Sequence, residues 1–392
     1  MDAPYIGEIN RNVPEAQPDE FAPLALGPLS VWPPVVLAPM AGVTNYPFRR
    51  MCRRFGAGLY VSEMITAKGL VYGNEKTLHL ADFGPDESPR SLQLYGVEPD
   101  SLAEATRRIV DEGRVDHIDM NFGCPVRKVT AKGGGAAIPA RPRLLARLVG
   151  AVVRHAGDVP VTIKFRMGID EDVMTYRDAG RVGEEQGCVA VGLHARTAAQ
   201  LYDGEARWDA IGDLKSRLSI PVLGNGDIWE AYDALRMMRA TGCDGVIVGR
   251  GCLGRPWLFR ELAAVFEGAS PPNPPRFGEV IDTMTEHARL VCDWFGEHRG
   301  MMMMRKFVTW YTKSFHGSAE LRQTLTKVRT LAELEAGVAG VDRDQPFPPA
   351  AMRVKRGKRS GVQKVSLPPG YLDDRDDDSS PGAGAEELVS GG

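Results

Sequence analysis

His117-Ile118-Asp119-Met120-Asn121-Phe122-Gly123-Cys124-Pro125-Val126 is an apolar run with polar residues at alternate positions, closed by a turn and a proline. Proline cannot donate to a strand ladder, so the strand ends before Pro125. Gly123 permits the turn, which leaves Cys124 on a loop at the strand's C-terminal end. A thiol in that position is placed for chemistry more than for packing. Its role stays open at this point between nucleophile, ligand and small buried hydrophobe.

Similar short runs recur on both sides of this one. Val35–Pro39, Leu59–Ser62, Ser91–Tyr95, Val115–Asn121, Val161–Arg166, Ala190–His194, Pro221–Asn225 and Gly245–Gly249 are eight candidate strands. They are close to continuously apolar, as parallel strands covered on both faces should be. Helical patterns lie between them, clearest at Asp100–Glu112, Pro142–His155, Asp172–Gln186, Trp208–Arg217 and Trp229–Ala240. This alternation predicts an α/β protein. Eight units over residues 35–268 favour a (β/α)8 TIM barrel. The rival, an open doubly wound sheet, lacks its Gly-rich turn after the first strand.

The remaining chain divides by composition. Residues 1–34 are rich in Pro, Glu and Asp and read as an irregular lead-in. Four prolines mark 269–276 as a linker, and 277–340 carries helical spacing at Phe277–Glu297, Arg299–Phe315 and Ala319–Ala336 with no strand between. This predicts a small all-α domain. From residue 346 the chain turns first basic, at Arg353–Arg359, and then acidic, a pattern that predicts a disordered tail.

Bulk numbers exclude several classes. No apolar run approaches the roughly 20 residues of a membrane span, and the first residues are too polar for a secretory signal. Six cysteines without CxxC spacing argue against a zinc site or disulfide framework and suit a reducing cytoplasm. The net charge of −3 is dominated by residues 372–392; without them 47 basic residues face 44 acidic ones, or +3. Charge distribution therefore matters more than the total. Nothing points to an obligate protein partner, and a monomer is expected.

In a barrel the site is built at the C-terminal strand ends. Those ends present Pro39-Met40-Ala41-Gly42, Gln93, Asn121 with Cys124, Lys164 with Arg166, His194, Asn225-Gly226-Asp227 and Gly249-Arg250. Glycines after strands seven and eight, with Arg250, suit a phosphate. Lys164 and Gln93 could hydrogen-bond a flat heterocycle, and no clustered metal ligands appear. Taken singly, Lys164 fits an interior ion pair as well as a ligand, His194 fits a core histidine, and Arg166 could pair with a barrel carboxylate. Their joint fall at strand ends in barrel order supports a phosphorylated, planar cofactor.

The stretches PMAGVTNYPFR (39–49), SEM (62–64), QLYG (93–96), DMNFGCPVRKV (119–129), KFR (164–166), HART (194–197), GNGD (224–227), GRGCLGRPWLF (249–259) and RKFVTWY (305–311) resemble the tRNA-dihydrouridine synthases, most closely the bacterial, nitrogen-regulation-linked branch. The resemblance covers about residues 20–335. It implies FMN on a TIM barrel, hydride taken from NADPH (or NADH), and reduction of the C5–C6 double bond of particular uridines in tRNA. By the same resemblance Pro39, Met40, Ala41, Gln93, Lys164, His194, Asn225, Gly226, Asp227, Gly249 and Arg250 bind FMN, and Cys124 is the general acid. A free thiol, with pKa near roughly 8.5, is mostly protonated at neutral pH and able to act so. Only His117 lies within ten residues of Cys124, although a base could come from elsewhere in the fold. Two positions depart from the family pattern: Asn45, where Asp is common, and Ala195, where Gly is frequent.

A uridine in folded tRNA must be extruded to reach such a site. Candidate contacts are Asn121, Arg166 and the loop residues Arg127, Lys128 and Lys132, next to a Gly133–Gly135 run expected to give mobility, together with Arg305 and Lys306. Trp310 beside them is expected to be core. Two other readings remain: a flavin barrel acting on a small molecule, which would lack the RKFVTWY helix, and an RNA-binding protein without flavin chemistry.

Overall fold

The computed structural model describes residues 6–357 and 361–386. Its centre is a closed barrel of eight parallel strands: β3 (Val35–Leu37), β4 (Leu59–Thr66), β5 (Ser91–Tyr95), β6 (His117–Phe122), β7 (Val161–Arg166), β8 (Ala190–His194), β9 (Val222–Asn225) and β10 (Gly245–Val248). Neighbours in sequence are neighbours in the barrel, and β10 closes against β3 through Val246↔Val35 and Val248↔Leu37. Intervening helices cover the outside, so the strands are buried on both faces and their sequences are continuously apolar. The expected (β/α)8 barrel is the fold.

The lead-in is more ordered than its composition suggests. Strands β1 (Leu24–Leu26) and β2 (Leu29–Val31) pair as an antiparallel hairpin. Leu24, Leu26 and Val31 pack with Val36, Leu59, Val61, Leu223 and Ile247 of the barrel. The hairpin thus plugs the end at which strands enter, leaving the opposite, C-terminal mouth open to solvent. Three-residue strands give little periodic signal, which is why the stretch reads as irregular.

Beyond the barrel, helices Phe277–Phe295 and Glu297–Tyr311 lie against helix Tyr46–Arg54 through Phe48, His287 and Phe307, whose rings are 4.5–5.6 Å apart. The pattern over Ala319–Ala336 is two helices, Ser318–Leu325 and Leu331–Val338. The second starts anew because the Thr330 hydroxyl accepts the Glu333 amide, a helix N-cap. Gly254 is the contact point between barrel and helices. A Cβ there would lie 2.4 Å from the Trp310 backbone carbon.

The tail departs from the expected disorder. Arg353 pairs with Glu230 and Asp233 at 2.7 and 2.9 Å, and Arg356 is buried with its Nε donating to the Trp310 carbonyl. Tyr371 is buried against Ala137 and Ala140 under the Arg141 guanidinium. Asp376, Asp377 and Asp378 meet Arg143, Arg141 and Arg147. Composition misleads here because these acids are neutralised by arginines more than 200 residues away in sequence. Lys358 and Arg359 of the basic run, and Glu387 of the acidic end, lie outside the described residues.

Candidate active site

The C-terminal mouth opens into a cavity of about 520 Å³, within the range of cofactor sites. Pro39, Met40, Ala41, Gln93, Asn121, Cys124, Lys164, Arg166, His194, Asn225, Gly226, Asp227, Gly249, Arg250 and Lys306 all line it. Arg127, Lys128, Lys132 and Arg305 do not. Arg127 and Lys128 are exposed on the short helix Arg127–Thr130 next to the cavity, and Arg305 is exposed one residue from Lys306. Lys132 donates instead to the Gly384 carbonyl of the tail, at 2.7 Å.

Hydrogen bonds run from the barrel interior to the backbone of the loop that carries the thiol. Asp119 is buried, with its carboxylate accepting from Gln93 Nε2 at 2.7 Å and Thr162 Oγ1 at 2.8 Å. That leaves Gln93 Oε1 to accept from Asn121 Nδ2 at 2.9 Å. Asn121 Oδ1 in turn accepts the amide N–H of both Gly123 and Cys124, each at 3.0 Å. The carboxylate therefore sets the orientation of two side-chain amides and, through them, of the loop. Cys124 is half-buried, while the other five cysteines are buried.

Across the cavity, Lys164 Nζ donates to Asn225 Oδ1 at 2.9 Å, and Asn225 Nδ2 donates to the Ile247 carbonyl. Burial, then the Arg166 guanidinium, brings Lys164 down to about 8. Burial pushes Asp119 up to about 6. His194 is driven well below its usual range by burial and by Arg166, Lys164 and Arg196, so its imidazole is neutral. Arg166 gives Nε to the Gly123 carbonyl and Nη1 to the Thr197 and Leu201 carbonyls, bracing the loop while its side chain still faces the cavity. Asp227 accepts from Arg196 Nη2 and the Ala206 amide.

The wall carries five cations, Lys164, Arg166, Arg196, Arg250 and Lys306, against one carboxylate, Asp227. Arg196 keeps its buried Nη1 without a hydrogen-bond partner beside Gly226. Gly226, at φ 135°, and Gly249 bring backbone close to this cationic end. Such a surplus fits an anionic ligand, and the amides and ammonium fit a flat polar heterocycle.

The family model described as Dihydrouridine synthase (Dus) matches residues 36–344. The chain belongs to the dihydrouridine synthase family. It is 51% identical over 379 residues, or 94% of this chain and 97% of the other, to the protein named Probable tRNA-dihydrouridine synthase of Mycobacterium tuberculosis strain H37Rv. Its counterpart in Mycobacterium leprae is 49% identical over 91% of this chain and all of its own. The tRNA-dihydrouridine synthase B of Xanthomonas campestris is 40% identical over 78% of this chain and 92% of its own.

Within this dihydrouridine synthase fold, several cavity residues went unnoticed in the sequence. Tyr202 lies under Arg250, whose guanidinium is 4.6 Å from the ring centre, and Trp229 is 5.3 Å from the same group. Met64 enters the cavity because β4 shifts register between Val61 and Met64. Beside it, Glu63 accepts the Gly42 amide, while Lys306 donates to the Gly42 carbonyl. Trp310, expected in the core, is half-buried at the mouth. Asn45 keeps the helix cap, its Oδ1 accepting the Phe48 amide as a carboxylate oxygen would. Among the described residues no group of three or more His, Cys, Asp or Glu could hold a metal, and no helix is long and apolar enough to cross a membrane.

Proposed function

We propose that the chain reduces the C5–C6 double bond of specific uridines in tRNA, using FMN and hydride from NADPH or NADH, with Cys124 as general acid. The reading is carried by one juxtaposition: a half-buried thiol on a hydrogen-bonded loop shares a 520 Å³ cavity with a cationic, amide-lined wall. Lys164, Asn225 and Gln93 would hold the polar edge of the flavin ring. Gly226, Gly249, Arg196 and Arg250 would take its phosphate, whose negative charge their surplus cations need.

Flavin held by these residues would supply hydride to C6 of the uracil. The Cys124 thiol gives its proton to C5, and the resulting thiolate regains a proton from water, so both atoms are accounted for. General acid catalysis of this kind is worth about 10²–10⁴-fold. Asn121 holds the loop through its oxygen, and neutral His194 can donate or accept without adding charge. The extruded base enters between Cys124 and the rim formed by Lys306 and Trp310, a rim that a small-molecule enzyme would not need. Phosphate contacts come from Arg127 and Lys128 beside the mouth and Arg305 on helix Glu297–Tyr311. The protein would work in the cytoplasm as a monomer.

Deletion of the gene followed by mass-spectrometric mapping of dihydrouridine in total tRNA tests the reading directly. Loss at one or more positions is the expected result. An unchanged map, with purified chain that is colourless and inert toward tRNA, would refute it.

A further inference from the structure

The loop that carries Cys124 is short, and the polar backbone groups of Gly123, Cys124 and Pro125 are all held. Gly123 and Cys124 N–H go to Asn121 Oδ1. The Gly123 carbonyl accepts from Arg166 Nε at 3.0 Å, and the Cys124 carbonyl accepts the Ala136 amide at 3.0 Å. Pro125 has no N–H. Its carbonyl accepts from Nε2 of Gln363, at 2.9 Å, a residue of the C-terminal tail 238 positions away.

The second Nε2 hydrogen of Gln363 goes to the Ala198 carbonyl at 3.1 Å, and its backbone N–H to the Ala199 carbonyl at 2.8 Å. One side chain therefore ties the Cys124 loop, whose Pro125 lines the cavity, to the loop after β8. Gly357, six residues earlier in the same tail, is itself part of the cavity wall. The anchor points on either side are firm. Arg356 is buried with its Nε on the Trp310 carbonyl, and Tyr371 is buried with its hydroxyl donating to the Gly133 carbonyl at 3.1 Å. Further along, the buried Glu386 accepts the Val97 and Lys68 amides. A residue pinned from both sides loses little additional freedom on forming its own bonds.

We propose that the tail supports the active site at Gln363, a positioning residue that fixes the Cys124 loop. This rests on the role of Cys124 given above. A proton donor must meet one carbon of a base that itself has to be extruded, and a misplacement of about 1 Å can cost roughly 100-fold in turnover. Gln363→Ala removes both donors. Gln363→Glu, of the same shape, sets a carboxylate against two carbonyl oxygens, which favours its protonated form, and that form regains a single donor.

The test uses the full-length holoenzyme carrying Gln363→Ala or Gln363→Glu, with two independent readouts. The first is tRNA turnover: kcat is expected to fall at least tenfold in both variants at pH 7.5, with the tRNA KM, flavin content and flavin reduction by NADPH unchanged. The Gln363→Glu deficit should narrow relative to the parent at pH 5. The second is the alkylation rate of Cys124 by iodoacetamide, resolved by peptide mass spectrometry, which should change at least threefold as the loop loosens. Parental kcat with parental alkylation overturns the proposal, as does a raised KM with kcat untouched, which would make Gln363 a tRNA contact. If the parent protein fails to turn over tRNA, the functional reading fails, while the alkylation comparison still decides whether Gln363 holds the loop.

Discussion

Asn121 and Cys124 are joined by a single oxygen: Asn121 Oδ1 accepts the Cys124 amide at 3.0 Å and the Gly123 amide at the same distance. The thiol's position is thus set by a side chain three residues earlier on β6. Asn121→Ala leaves two partly buried N–H groups unmet, at about 1–3 kcal/mol for each that water does not reach. Asn121→Asp keeps the acceptor but loses the donor to Gln93. The expected order of tRNA turnover is parent, then Asn121→Asp, then Asn121→Ala, with the last down at least tenfold and flavin content retained. Steady-state kinetics and flavin absorbance check this.

Asp119 makes folding pH-dependent. Burial raises it from the ordinary 3.8 to about 6. Between those values the folded chain holds more protons than the unfolded chain, so stability falls as pH rises through the window. Above about 6 the cost levels off. Asp119→Asn should flatten the decline in denaturant midpoint between pH 4 and 6 relative to the parent. An equal slope in both proteins would place the titrating group elsewhere.

Lys164 carries the opposite sign for ligand binding. Burial and the Arg166 guanidinium lower it to about 8, so its ammonium is lost on raising the pH through 8. The folded chain itself gains stability from pH 8 to 10.5, because there it binds fewer protons than the unfolded chain. On the proposed reading, flavin bound through this ammonium follows the reverse course, and its affinity is expected to fall by up to about tenfold per pH unit above 8. Lys164→Met should weaken binding at pH 7 and remove that dependence. Fluorescence titration of FMN from pH 6.5 to 9.5 gives both quantities.

The barrel and the residues that line its mouth were legible for a physical reason. Parallel strands covered on both faces leave a local, continuous apolar signature, and in a barrel every strand end faces the same mouth. So Gln93, Lys164, His194 and Arg250 could be grouped before any coordinates. What stayed hidden depends on partners distant in sequence. Tyr202 sits in an irregular loop and earns its place only under Arg250. The Gly133–Gly135 run, expected to be mobile, is tightly packed: a Cβ on Gly134 would lie 2.3 Å from the Tyr95 hydroxyl, and one on Gly135 2.6 Å from the Cys124 carbonyl. The tail's order likewise arises from Arg141, Arg143 and Arg147, whose charges no local window contains.

Gly254 and Gly242 separate backbone strain from crowding. Both are left-handed, at φ 64° and 68°, so alanine at either costs roughly 1–2 kcal/mol in backbone conformation. Around Gly242 nothing lies within 4 Å of an added Cβ, whereas at Gly254 it would meet the Trp310 and Tyr311 backbone at 2.4–2.6 Å. Helix Glu297–Tyr311 must then shift, carrying Lys306 away from the Gly42 carbonyl and Trp310 from the rim. Gly242→Ala should lower stability by about 1–2 kcal/mol with tRNA kinetics intact. Gly254→Ala should lose more than that and also raise the tRNA KM severalfold, since the displaced Lys306 and Trp310 line the cavity that the proposed function assigns to the base. Denaturant unfolding and tRNA kinetics on the pair decide it, and equal behaviour of the two variants would mean that the helix is not seated on the barrel through Gly254.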